Sequence, residues 1–237
     1  MFVALRKRIG FFNLKRGFKR LGRAVERLDP ALGTKELIDF VFSKQAELMT
    51  PWQVKKEISE LIQEAAKLKP KFVLEIGTAN GGTLFLLTRV ADPKGTIISI
   101  DLPGGKFGGG YPDWKIPFYR KFARPGQSLH LLRENSHADA TFEKVKALLG
   151  ENKLDYLFID GDHTYDGVKH DFHLYSPLVK KGGMVGFHDI NYEADPNNKV
   201  YVFWREIRNQ YTSKEFIADP SIVNDSSKSI GIGLIFI

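Results

Sequence analysis

The sequence predicts an α/β fold, a doubly wound and mostly parallel sheet of seven strands with helices on both faces, preceded by a basic helical extension. Three observations carry this expectation. Near-continuous apolar runs at 71–77 (KFVLEIG), 95–101, 128–135, 154–160 and 182–189 recur about every 25–35 residues. Helix-length segments separate them, and strands apolar on both faces belong to a parallel sheet covered on both sides. Two further strand candidates, 215–218 and 230–237, follow a last helix near 199–211 without a long crossover. They give the sheet an antiparallel edge.

In chain order the extension comes first. Residues 1–30 hold nine Lys/Arg against Glu26 and Asp29 and so carry the whole net charge of +7. The rest of the 237-residue chain has 26 basic and 26 acidic side chains. The basic balance therefore describes one segment and gives no warrant for nucleic-acid binding by the domain. Phe11, Leu14, Phe18, Leu21, Val25 and Leu28 fall on one helical face, with Lys15, Arg16, Lys19, Arg20, Arg23 and Arg27 mostly elsewhere. Gly10, Gly17 and Gly22 each cost about 1 kcal/mol of helix propensity against alanine, so this helix needs a surface to form on. Two readings stand open. The stripe docks on its own domain or on a second subunit of a homo-oligomer, or residues 1–28 make peripheral contact with an anionic membrane.

No apolar run approaches the roughly 20 residues that span a bilayer. The first residues lack the apolar core and cleavage site of a secretory signal, and the expected location is cytoplasmic. The absence of cysteine excludes disulfide frameworks, thiolate nucleophiles, zinc–cysteine sites and iron–sulfur clusters. Asp29-Pro30 to Gly33-Thr34 marks a break that separates the extension, 1–30, from a domain at 31–237. Helices are expected at 35–42 and 51–68, then between the strands at 83–91, 112–123, 138–149 and 164–179. Gly104, Gly105, Gly108, Gly109 and Gly110 crowd the segment past the second strand. With Tyr111 and Trp114 they read as a mobile flap over a ligand.

The chemistry lies at the strand ends. The first strand runs through Glu75-Ile76-Gly77-Thr78-Ala79-Asn80-Gly81-Gly82 directly into a helix. A glycine turn there lets a ligand approach the backbone and the helix N-terminus. The spacing is G-x-x-x-G-G, not the G-x-G-x-x-G of dinucleotide sites. The second strand ends in Asp101, placed to accept both hydroxyls of a ribose. The third ends in Arg133-Glu134-Asn135-Ser136. The fourth and fifth end in Asp160-Gly161-Asp162-His163 and His188-Asp189, more polar groups at adjacent strand ends than helix caps require.

The first of these loops resembles motif I of the class I S-adenosylmethionine (SAM) methyltransferases. The pair FIDGDHxY … KKGGMVGFHD resembles the methyltransferase 24 family and, more distantly, the metal-dependent O-methyltransferases of catechols and macrolide sugars. The resemblance covers about residues 52–190. It implies a Rossmann-like domain that binds SAM through Glu75, Gly77, Thr78, Ala79, Asn80, Gly81 and Gly82, with Asp101 on the ribose. Asn135 and Ser136 stand where adenine contacts are usual, though a polar strand exit or a helix cap accounts for them equally.

The metal ligands of the relatives fall on Asp160, His188 and Asp189, implying a divalent cation such as magnesium or manganese. Neighbouring strands lie about 5 Å apart, so both carboxylates can reach one ion. His188 departs from the usual Asp-Asn or Glu-Asp pair. It ligates a softer metal, orients Asp189, or serves as a base without metal. His163 matches a general base of the macrolide-sugar relatives and is paired with Asp160 in the catalytic set; the alternative is a capping or surface histidine. His130, His137, His170 and His173 read as ordinary. The implied reaction is methyl transfer to a hydroxyl of a small molecule or glycan. Its rivals are a nicotinamide oxidoreductase, which should show the missing dinucleotide motif, and a SAM-binding scaffold without catalysis.

Overall fold

Along each central strand successive side chains face opposite ways, and here both directions are apolar. The computed structural model describes residues 2–107, 109–193, 195–219 and 230–237, with side chains from Gly10 onward. Gly108 and the side chains of Arg6, Lys7 and Arg8 therefore lie outside the described residues. The strands are β1 (Phe72–Ile76), β2 (Thr96–Ile100), β3 (Ser128–Leu132), β4 (Leu154–Ile159), β5 (Val179–His188), β6 (Thr212–Phe216) and β7 (Ile232–Phe236). Their order in the sheet is β3-β2-β1-β4-β5-β7-β6. The first five are parallel, and β7 runs antiparallel to both β5 and β6. The expected seven-stranded sheet is what forms.

The helices are α1 (Phe2–Glu26), α2 (Thr34–Val41), α3 (Lys55–Leu68), α4 (Gly82–Val90), α5 (Ile116–Tyr119), α6 (Asp139–Leu149), α7 (Tyr165–Tyr175) and α8 (Val200–Ile207). On one face Val73, Ile97, Tyr156 and Phe158 pack with residues of α1 to α4. On the other, Leu74, Ile76, Ile98, Ile100, Leu157 and Ile159 pack with α6, α7 and α8. Strand order reverses between β1 and β4. Their C-terminal ends therefore border a crevice, the usual ligand position in an open α/β sheet.

Three segments differ from the sequence expectation. The helix expected at 112–123 is broken into 3-10 turns around the single turn of α5, because Pro112 and Pro117 remove backbone donors. The one expected at 164–179 stops at Tyr175; Pro177 follows, and β5 starts already at Val179. The edge strand begins three residues earlier than its apolar run, since Thr212 to Glu215 are exposed. The buried Glu57 carboxylate ties β6 to β7, accepting from Ala218 N at 2.9 Å and Gly231 N at 3.0 Å.

The extension docks on its own domain. Phe18, Leu21 and Val25 are buried in the first core, and the Phe18 ring meets Trp114 and Phe118 edge-on. Its glycines are the reason it can come so close. A Cβ on Gly17 would lie 2.8 Å from Leu48 Cδ1, and one on Gly22 would lie 3.0 Å from Lys121 Cδ. Glu26 pairs with Lys121 at the helix end. Among the described residues no helix is long and apolar enough to cross a membrane. Replacing Leu21 by alanine should cost about 2–5 kcal/mol, the usual range for a buried leucine, whereas Arg16→Ala on the outer face should stay within about 0.5 kcal/mol. Urea denaturation of the two variants measures the difference.

Candidate active site

The loop after β1 is shaped by one close approach. Gly77 has φ +97°, and a Cβ there would lie 2.0 Å from the Asp160 carbonyl oxygen, so only glycine lets the loop turn against the exit of β4. Gly77 N donates to Ile100 O, and Asp160 N donates to Ile76 O. Those bonds continue the ladder past the ends of three strands. Ala79 is also left-handed, at φ 45°. Its N–H donates to Asp101 Oδ2 at 3.0 Å, while Gly110 N donates to Oδ1 at 2.8 Å. Burial raises the Asp101 pKa, against the three backbone amides that lower it.

Glu75 lies behind the loop and does not line the cleft. It is fully buried, accepts from Ser99 Oγ at 2.8 Å, and Ser99 in turn bonds Thr78 Oγ1 at 2.5 Å. Burial holds its carboxyl well above the usual range, with the charges of Asp101 and Asp160 adding to the effect. Glu75 thus braces the loop through Ser99 and Thr78.

The cleft has two joined parts. One is lined by Gly77, Asp101, Asn135, Ser136, His137 and Asp162 among others. Asn135 lines this part of the cleft, and its Oδ1 accepts from His137 N at 3.0 Å to close a turn. Ser136 is held from behind by Tyr175 Oη on its carbonyl, at 2.7 Å. The second part is lined by Trp52, Asp160, His163, His188, Asp189 and Tyr192. Asp101, Lys106, Phe107 and Gly109 border both parts. A small crevice under Gly77–Gly82 reaches Pro51, Trp52, Gln53 and Asp160.

The segment expected to form a flap borders the cleft for only part of its length. Lys106, Phe107 and Gly109 wall the cleft, but Tyr111 is buried against Tyr119 and Trp114 packs on α1. Arg133 fixes the turn between the two arrangements, donating to Tyr111 O at 2.9 Å and pairing with Asp113.

Four of the five polar groups expected at the ends of β4 and β5 converge. His188 Nδ1 lies 2.9 Å from Asp160 Oδ1 and 3.2 Å from Asp189 Oδ1. His163 Nδ1 lies 2.7 Å from Asp189 Oδ2, and its Nε2 lies 3.5 Å from Asp160 Oδ1. Asp162 stands apart, accepting from Thr164 N at 3.0 Å, and Thr164 rather than His163 caps α7. Burial by itself lowers the pKa of both imidazoles. The two carboxylates outweigh it and lift His163 to about 10 and His188 to about 9. Burial raises Asp160, yet the two imidazoles beside it bring it well below the carboxylate range. Two anions and two cations thus neutralise one another inside the protein, as buried charges must.

Three members of this network were not visible as site residues in the sequence. Gln53 donates to Asp160 Oδ2 at 2.6 Å and accepts from Thr83 Oγ1 at 3.0 Å. Asn198 donates to Asp189 Oδ2 at 2.5 Å. Phe107 stacks on His163 with ring centroids 4.8 Å apart. Only Phe107 had a signal, as the one aromatic inside the glycine-rich run.

The same contacts bear on the expected cation. Asp160 and Asp189 direct all four oxygens at His188, His163, Gln53 and Asn198. Among the described residues no three acidic or imidazole groups are placed to hold a metal ion. A hard divalent ion needs oxygen lone pairs turned to one point, and here they are turned to four different side chains. As arranged, Asp160, His188 and Asp189 do not fit the cation that the resemblance implied.

Comparisons with known proteins agree with this geometry. Residues 74–190 match the model of a methyltransferase-domain family. An uncharacterized protein of Acanthamoeba polyphaga mimivirus is 35% identical over 116 residues, 49% of this chain and 50% of that protein. The chain thus spans about half the length of that relative. The solved O-methyltransferase from Bacillus cereus in complex with S-adenosylhomocysteine superposes with a TM-score of 0.56 at 14% identity, covering 86% of this chain and 90% of that one. The O-methyltransferase TomG from Streptomyces achromogenes, involved in tomaymycin synthesis and solved with SAM, gives 0.54 at 15% identity over 94% and 89%. Residues 74–190 thus match the methyltransferase-domain family, and the chain shares its fold with solved SAM-dependent O-methyltransferases.

Proposed function

We propose that this protein is a SAM-dependent O-methyltransferase that uses His163 as its base without a metal ion. The observation that carries the reading is the joining of two sites at Gly77. A cleft built like a nucleoside pocket, with Asp101 at its centre, opens onto a cluster of acid and base groups at the ends of β4 and β5. A scaffold that only bound SAM would have no use for the second half.

When bound, SAM supplies a methyl group on positively charged sulfur, which activates transfer and lowers the pKa of nearby imidazoles. The chain's own residues do the rest. Asp101 exchanges its backbone partners for the ribose hydroxyls, and Gly77 to Gly82 lie under the amino-acid end. Asn198 and Asp189 fix the Nδ1 side of His163. Its Nε2 contact to Asp160 is the longer one, at 3.5 Å, and gives way to the acceptor. As the acceptor oxygen gains the methyl group and the carbon–sulfur electron pair stays with sulfur, neutral His163 Nε2 would take the hydroxyl proton. The second part of the cleft, with Trp52, Phe107 and Tyr192, suits a small molecule or one unit of a glycan.

Calorimetry with S-adenosylhomocysteine should show binding that Asp101→Ala largely removes, and no binding of NAD. NAD binding in place of S-adenosylhomocysteine would overturn the assignment. His163→Ala should lower turnover about 10²–10⁴-fold, the usual contribution of a positioned base, with cofactor affinity nearly unchanged. Because a raised imidazole pKa keeps His163 protonated, the wild-type rate should climb with pH until the ring is neutral, with a limb no higher than about 10. The limb should vanish in the variant. Chelation by EDTA should leave the rate intact; its loss, restored by one metal, would return Asp160 and Asp189 to the ligand role.

A further inference from the structure

The outer face of α1 carries a surface that the methyl-transfer site does not use. Its inner face is used up, with Phe18, Leu21 and Val25 buried in the core. Phe12, Arg16, Lys19, Arg20, Arg23 and Arg27 are all exposed. At 3.6 residues per turn they fall in a band about 100° wide, opposite the buried stripe. Among the described residues none of these five cations is ion-paired, and the one acid beside them, Glu26, is taken by Lys121.

Arg20, Arg23 and Arg27 line a groove floored by Phe40 and Gln45. Phe12 is 59% exposed, with the Arg16 guanidinium 5.2 Å over its ring. A helix face serving only solubility would carry mixed charges and no exposed phenylalanine among them. Beyond this segment the chain is charge-balanced, so a second copy brings no net opposite charge to this face.

We propose that the outer face of α1 docks on an anionic lipid surface, a property separate from the methyl-transfer site. Phe12 enters the interface. Arg16 and Lys19 lie over the headgroups, and the groove of Arg20, Arg23 and Arg27 takes a headgroup phosphate. This differs from the usual amphipathic anchor, in which the long apolar stripe enters the lipid, because here that stripe is spent on the protein's own core. Unpaired cations around one exposed phenylalanine suit an anionic bilayer, where the ring leaves water while the charges stay at the headgroups.

The test is sedimentation of the full chain with vesicles of phosphatidylcholine alone and with one-third phosphatidylglycerol. Binding is expected only to the anionic vesicles, and to be lost near 1 M salt, where the screening length falls from about 10 Å to about 3 Å. Each basic residue at such a surface is worth about five-fold in partitioning, so R20Q/R23Q/R27Q should lose about 100-fold. Phe12→Ala should lose about ten-fold through its apolar surface. Both variants should keep the wild-type melting temperature and affinity for S-adenosylhomocysteine, since their side chains face outward. Equal binding to neutral vesicles, no binding to either, or full binding by the triple variant would overturn the proposal. So would tighter binding of single-stranded RNA than of anionic vesicles.

Discussion

The contact of Gly77 with the carbonyl of Asp160 is the constraint on which the rest of the site depends. β1 and β4 are neighbours at the point where strand order reverses, and the loop leaving β1 must turn across the end of β4. With a side chain at position 77 the loop would stand away from β4, and the two halves of the cleft would separate. With glycine the backbone of the loop, the Asp101 carboxylate and the Asp160 side chain share one rim. Nearby loops then take their positions from that rim: Gly110 by its bond to Asp101, Gln53 by its bond to Asp160, and Phe107 by its stacking on His163.

Electrostatics decides what this rim can do. Asp160 and Asp189 could in principle hold a cation, but His163 and His188 reach them first, and each imidazole is stabilised in its charged form by the carboxylates it neutralises. Burying such a set is tolerable only because it is internally balanced and further bonded by Gln53 and Asn198. The same balance leaves His163 strongly basic, with one firm contact to Asp189 and one loose contact to Asp160. That asymmetry gives the ring an orientation and a free side. Asp101 is in a comparable position, holding two backbone amides that a ribose can replace.

Much of this was legible in the sequence because it depends on burial and local geometry. The five parallel strands are apolar on both faces, so their runs stand out. The glycines of 77–82, Asp101, and the polar ends of β4 and β5 follow directly from where such strands stop. Other features left no local mark. Gln53 and Asn198 are single polar residues brought to the site from 107 and nine positions away from their carboxylate partners. The exposed start of the edge strand, Thr212 to Glu215, has no apolar run to mark it. Tyr111 and Trp114 follow the glycine-rich run in sequence, yet the Tyr111 side chain points into the core and Trp114 packs on α1 because their apolar partners lie there. The arrangement around the implied metal ligands was hidden for a related reason: ligand spacing can be read along the chain, but not which neighbours already occupy the lone pairs.

A crystal structure grown with S-adenosylhomocysteine and a divalent cation in the drop tests the central claim most directly. The prediction is a ribose bound by Asp101, adenine beside Asn135 and Ser136, and the sulfur facing the second part of the cleft next to His163, with the contacts among Asp160, Asp189, His163 and His188 intact. A ligand seated away from Asp101, or a cation bridging Asp160 and Asp189 with His163 displaced, would contradict it.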